Sequence, residues 1–301
     1  MPLNRRSIPV AALLMFACAV ASALVLTACS PADAKRPADQ RPSIELAQVQ
    51  PVAPAAQPVA PAPKIGAAAA PMPPAPKVST FAPAKDLVRA ADKYIAGLQE
   101  VVENEEDYKD GQDKVAKDAN TLVVIALALG LHDEENSYKA NAAAVMKAAS
   151  ELAATKDFAS AKKAVCAVRE AADGKTKVET PLKWEKVASL PELMKQVPLV
   201  NTKLKRNIKP DKFKKKAKDA ASATAVIAAI AQGSMADTSA AKTPDQAPQW
   251  YKFAAAMRDN AGQLNAAIHK KDEPAAAKAM TKLAKSCDDC HEVFHPGVKT
   301  E

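Results

Sequence analysis

Near the end of the 301-residue chain two thiols and an imidazole stand together, in Cys287-Asp288-Asp289-Cys290-His291. Thiols three positions apart, with a His directly after the second, form the pattern through which a haem is attached covalently. Each thiol adds across a haem vinyl group, and the neighbouring imidazole coordinates the iron. The same residue types also suit a dithiol redox pair, a disulfide or half of a zinc site. If the segment is helical, Ala276, Met280, Leu283, Cys287, Cys290 and Phe294 fall at alternating spacings of four and three on one apolar seam. Both thiols and His291 then point to the same side, and Asp288 and Asp289 lie on the outer, wet face. A dithiol enzyme is expected to place its pair at a helix N-terminus, where the dipole lowers the thiol pKa. This pair lies near the C-terminal end of its segment, just ahead of Pro296. A zinc site needs further ligands, and His295 is the only obvious one nearby. Covalent haem attachment is the reading these residues favour.

The elements that would position the motif are helical. Aromatic residues make up only 4% of the chain and glycines number 8, while Ala and Lys are abundant, a composition that favours packed helices over sheets. No long β-branched alternation occurs, so the expected fold class is all-α: two tandem four-helix bundles after a disordered Pro/Ala-rich linker. Four periodic segments (86–102, 113–131, 138–154 and 158–172) make the first block, spanning 85–188. The second block, 189–301, starts at Ser189-Leu190-Pro191-Glu192, with a Ser cap, a Pro in the first turn and an acid at the third position. Its first helix carries Pro198 and is expected to bend there. The second runs from about 211 to 231. The third presents Trp250, Phe253, Met257, Ala261, Leu264 and Ile268 on one face, and the fourth opens at Asp272-Glu273-Pro274.

Ahead of these blocks the chain changes character twice. Arg5 and Arg6 precede an apolar run from Ile8 to Leu26, the pattern of an export signal. That run ends Leu26-Thr27-Ala28-Cys29-Ser30, which resembles the lipobox of bacterial lipoproteins. The resemblance implies removal of residues 1–28 and acylation of Cys29, and two or more acyl chains would hold the protein firmly to a bilayer. An uncleaved anchor helix is the alternative. Between Pro31 and Ala84, 13 Pro and 16 Ala leave room for one aromatic, Phe81. Pro at that density blocks helix and sheet ladders, so 29–84 is expected to be a semi-rigid spacer without a fold. With Cys18 removed, Cys29 lipidated and Cys287 and Cys290 in thioethers, Cys166 is left as a small buried apolar residue rather than part of a disulfide framework.

The two blocks read as a repeat. Ala116-Lys117-Asp118-Ala119 matches Ala217-Lys218-Asp219-Ala220, and Tyr138-Lys139 matches Tyr251-Lys252. The offset that pairs Asp157 with Asp272 puts Ala172, Lys175 and Thr176 where Cys287, Cys290 and His291 stand.

A four-helix bundle with Cys-x-x-Cys-His-x-x-Phe in its last helix resembles the class II cytochromes c, the cytochrome c-prime family. The resemblance covers roughly 190–296, with 85–176 as a haemless relative. It implies one haem c, held by thioethers at Cys287 and Cys290 and by His291 as proximal axial ligand. In low-spin members a Met of the first helix binds the far side of the iron, which here points to Met194; Met257 and Met280 fit better as core. In c-prime members that side is open. The family often has Arg or Lys just after the Phe, whereas His295 and Pro296 follow Phe294 here.

Charge completes the expectation. Residues 85–190 hold 16 basic against 19 acidic side chains, and residues 191–301 hold 19 against 12. Lys203, Lys205, Arg206, Lys209, Lys212, Lys214, Lys215, Lys216 and Lys218 concentrate the excess. They form either a solvated face or a docking surface for an acidic redox partner or for the acidic segment Glu103–Asp107. The expected protein is non-enzymatic, a periplasmic carrier anchored by lipid to the outer membrane in preference to the inner. Its partner would be a periplasmic or membrane redox protein, with a second copy of the chain as a further candidate and nucleic acid excluded. A five-coordinate gas-binding cytochrome and a non-redox envelope lipoprotein that binds other proteins are the alternatives. No Ser/His/Asp or paired-carboxylate constellation of a hydrolase is present.

Overall fold

The computed structural model of the protein describes residues 70–298, which fall in one compact unit. Among the described residues regular structure is entirely helical. Eight α-helices follow in order: α1 (Ala84–Val101), α2 (Glu105–Gly130), α3 (Ala142–Ala153), α4 (Phe158–Ala172), α5 (Leu190–Asn207), α6 (Phe213–Ser234), α7 (Ala247–Lys270) and α8 (Glu273–Phe294). The export signal, Cys29 and the spacer up to residue 69 lie outside the described residues. No described helix is long and apolar enough to cross a membrane.

Local chemistry sets the helix ends. The side chains of Asn104, Asp157 and Asp272 accept from the backbone N–H groups of Asp107, Ser160 and Ala275, at 2.9, 2.9 and 3.0 Å, supplying partners that the first turn lacks. Asp157 and Asp272 are the positions equated in the repeat, so both halves open their last helix with the same cap. Their ends differ. α4 stops at Ala172, where Gly174 takes φ +73° and Lys175 N–H returns to the Glu170 carbonyl at 2.9 Å, a glycine-terminated C-cap. α8 continues for two further turns beyond the equivalent position, Cys287, and carries Cys290 and His291 on them.

Three boundaries depart from expectation. α2 starts at Glu105 rather than at 113, because Asn104 caps it and Glu105, Glu106 and Asp107 favour the positive end of the dipole. Tyr138-Lys139 does not open α3; Lys139–Asn141 is a 3-10 turn, and the buried Tyr138 donates its hydroxyl to Asp92 at 2.6 Å. At the third boundary, the last residues of the Pro/Ala-rich stretch belong to the folded body. Val78, Phe81 and Ala82 are buried in the main core. Ser79 donates from its backbone N and its Oγ to Asp133 at 2.9 and 2.6 Å, and His132 Nε2 donates to the Ala82 carbonyl at 3.0 Å. Inside α5, Pro198 interrupts neither the helix nor its buried stripe of Leu193, Val197, Val200 and Leu204.

Consecutive helices pack on one another in each half, and the halves meet where α1 lies on α6 and α2 lies on α5 and α6. One hydrophobic cluster runs through all eight helices. Buried polar groups are stitched across the junction. Asn265 Nδ2 faces Asp86 Oδ2 at 3.0 Å, the Ala221 carbonyl at 2.9 Å and Thr224 Oγ1 at 3.0 Å. His269 Nε2 donates to the same Asp86 oxygen at 2.6 Å. Gln196 Nε2 joins α5 to α1 and α2 through Tyr94 Oη at 2.7 Å and Asp118 Oδ1 at 3.0 Å, and Lys93 pairs with Asp219. Burial raises the Tyr94 phenol well above its ordinary value, so it stays neutral in this network.

Candidate functional site

The seam on α8 is real. Ala276, Met280, Leu283 and Phe294 are buried, and Cys287 and Cys290 are half-buried in line with them. Asp288 is exposed, and Asp289 is partly exposed and pairs with Lys285 at 2.6 Å. Opposite the thiols, α5 contributes Met194, Val197 and Asn201, and α7 contributes Trp250, Phe253 and Met257. Together with Cys287, Cys290, His291 and Phe294 they enclose a cavity of about 480 Å³, within the size range of small-molecule and cofactor pockets. Its walls are mostly apolar. Phe294 meets Trp250 edge to face at 5.3 Å and Phe253 at 6.1 Å, and the Trp250 N–H is tied to the Ser234 carbonyl at 3.0 Å. These contacts fix one end of the cavity as a rigid aromatic wall.

All four residues expected to surround a haem iron or its attachment points, Cys287, Cys290, His291 and Met194, line this one cavity. Met280 is core, as expected. Met257 is both core and cavity wall, so a second thioether faces the same space. Asn201, which the apolar stripe of α5 passed over, also lines it; an Asn among core-facing helical positions was the signal that marked it.

The electrostatics separate the chemistries that Cys-x-x-Cys can support. Both cysteines are free. Burial, reinforced by Asp288, pushes the Cys287 thiol up to about 11, and burial with the neighbouring Cys287 does the same for Cys290. Such thiols are neutral at physiological pH, the opposite of the lowered pKa on which dithiol exchange depends. No group of three or more His, Cys, Asp or Glu side chains is assembled to hold a metal ion among the described residues, so a zinc site of the usual three or four protein ligands is not built here. A haem asks for less from the chain: two thiols, an imidazole and an apolar slot. Burial, and then the nearby His295, hold the His291 imidazole below its ordinary value, which keeps it in the neutral form that binds metals. Its Nδ1 is buried without a partner, and the His295 ring stacks 6.1 Å away. The residues present therefore fit a covalently held haem.

The charged surroundings are only partly as expected. Of the basic cluster, Lys216 approaches Asp219 at 3.8 Å, and no described ion pair joins the cluster to Glu103–Asp107. Lys205 lies near enough for its charge to favour the Cys287 thiolate, which places this end of the cluster beside the cavity. Cys166, expected as a buried apolar residue, is half-buried in α4.

Comparison of the chain with protein-family models, curated proteins and solved structures finds no match.

Proposed function

We propose that the protein is a c-type cytochrome: an exported, lipid-anchored carrier of a single haem c that works by one-electron transfer. The reading places it in tandem four-helix bundles, the first haemless and the second haem-bearing. The observation that carries it is the shared cavity, where two free thiols, an imidazole and the Met194 thioether line one mostly apolar space. Bound there, a haem supplies a one-electron iron couple. The chain's own residues divide the remaining work. Cys287 and Cys290 would hold the group through thioethers, and His291, kept neutral by burial, would supply the imidazole from α8. Trp250, Phe253 and Phe294 keep water from that end of the cavity. Met194, on the α5 wall of the cavity, would offer a thioether to the group, and a Met–His pair would suit electron transfer by raising its potential.

The capped but shortened α4 accounts for the haemless half: its chain turns away at Gly174 before the turn on which α8 carries its second thiol and His291. The concentration of basic side chains around Lys205, whose charge reaches Cys287, supports docking of an acidic redox protein of the periplasm or membrane. Electron transfer to such a partner slows steeply as salt rises. The axial assignment is tested by the ferric spectrum. A low-spin spectrum that turns high-spin in Met194→Ala, and stays low-spin in Met257→Ala, supports it. A wild-type spectrum already high-spin, with carbon monoxide binding to the reduced form, replaces it with the gas-binding alternative.

A further inference from the structure

The last turn of α8 carries a second pattern that overlaps the thiol motif. His291-Glu292-Val293-Phe294-His295 sets two imidazoles four positions apart, the spacing at which a helix presents paired zinc ligands on one face. The chain keeps that register to the end of the helix. The His295 backbone N–H donates to the His291 carbonyl at 2.9 Å, so the two side chains leave the backbone one turn apart. Both line the cavity. Their rings lie nearly parallel, with centres 6.1 Å and planes 24° apart. Two imidazoles that share one ion, each nitrogen about 2 Å from it, sit roughly 5 Å apart centre to centre. His295 is exposed, so a rotation of its side chain closes the difference without disturbing the core.

Three further observations favour a cation at this point. His291 Nδ1 is buried without a hydrogen-bond partner, a condition that native interiors rarely tolerate and that coordination by this nitrogen would relieve. The pair ends a 22-residue helix, where the unpaired carbonyls and the dipole attract positive charge. Asp288 and Glu292, both exposed on the same turns, add negative charge, and that of Asp288 reaches the His291 ring. No third or fourth acidic, thiol or imidazole ligand is assembled with the pair among the described residues. An ion held there keeps solvent in its remaining positions, so the site binds reversibly and is not part of the fold.

We propose that His291 and His295 form a reversible chelate for one divalent ion of the zinc, cobalt or nickel kind in the haem-free chain. Imidazole suits these ions, whereas magnesium and calcium take oxygen ligands. The site does not rest on the haem reading. The two uses share His291, and a haem coordinated by that ring excludes the ion.

The test uses full-length protein made without haem attachment. It is titrated with Co²⁺, whose absorption reports its ligands, and the bound Co²⁺ is then challenged with Zn²⁺. The expected result is a Co²⁺ site without a thiolate-to-cobalt charge-transfer band, emptied by Zn²⁺, which binds nitrogen ligands more tightly. Affinity should fall about tenfold or more in His295→Gln and in His291→Gln, because each imidazole binds an ion already held by the other. It should be unchanged when Cys287 and Cys290 are both replaced by Ser. His295 is exposed, so His295→Gln leaves the fold intact, and its far-ultraviolet circular dichroism should match wild type. Wild-type affinity in His295→Gln, or a thiolate band that disappears with Cys287 and Cys290, overturns the proposal. Neither result bears on the haem reading, which haem retention decides in protein matured with haem.

Discussion

Asn265→Ala should be the most damaging small change at the junction of the two halves. Asn265 is 2% exposed and the carboxylate it faces, Asp86, is 4% exposed. An amide nitrogen has two hydrogens, so of its three close acceptors it satisfies two at a time. One bond is to a carboxylate and one to a carbonyl or hydroxyl oxygen, and together they contribute about 2–4 kcal/mol. Truncation also leaves Asp86 with His269, whose ring is partly exposed, while the Ala221 carbonyl keeps the Thr224 hydroxyl at 2.7 Å. The expected loss is roughly 3 kcal/mol, read as a fall of about 1 M or more in the urea midpoint of the full chain at unchanged slope. His269→Ala, at the wet edge of the same network, should cost less. In a double-mutant cycle with Asp86→Ala the two losses should be strongly sub-additive. A loss below about 1 kcal/mol, or additivity, would show that the network does not hold α1 to α7.

Other consequences follow from the same contacts. Hydrogen bonds from the Ser79 hydroxyl and backbone hold the Asp133 carboxyl down to about 2. A depressed carboxylate stabilises above its unfolded value of about 4 and loses that contribution as pH falls through the folded one. Amides of 78–82 should therefore exchange faster between about pH 4 and pH 2; Ser79→Ala, which keeps the backbone N–H, should weaken that pH dependence, and Asp133→Asn should abolish it. In haem-free protein, alkylation of Cys287 and Cys290 should be slow at pH 8 and accelerate with pH up to about 11, whereas rapid labelling at pH 7 would restore the dithiol reading. Gly174→Ala puts a Cβ on a φ of +73° and should cost about 1–2 kcal/mol by thermal or urea unfolding.

Much of this was legible because its causes are local. The Asp caps of α4 and α8 and the four-three spacing of the α8 seam are written within single segments, and both helices begin where the pattern puts them. The start of α2 was hidden: Gly111 weakens the helical pattern ahead of 113, yet it lies inside α2, where a Cβ would come within 2.6 Å of Val101. Phe81 was likewise concealed by the prolines around it, and only long-range contacts with Arg258 and α7 reveal that it is buried. At the site, Cys287, Cys290 and His291 are marked by a contiguous motif, and Met194 by a resemblance. Asn201 is marked only by being an amide among core-facing positions of α5, and Met257 by nothing local, since what sets it apart is the wall it shares with residues on other helices.

The central claim is tested most directly by whether the chain carries haem covalently. Full-length protein matured in cells that attach c-type haem is denatured, reduced in alkaline pyridine and scanned. The expected result is a haemochrome spectrum of one haem per chain that survives denaturation and acid–acetone extraction. It should be lost when Cys287 and Cys290 are both changed to Ala. Wild-type protein with no retained haem, and with both thiols free by mass, would contradict the assignment of Cys287, Cys290 and His291 as a haem site.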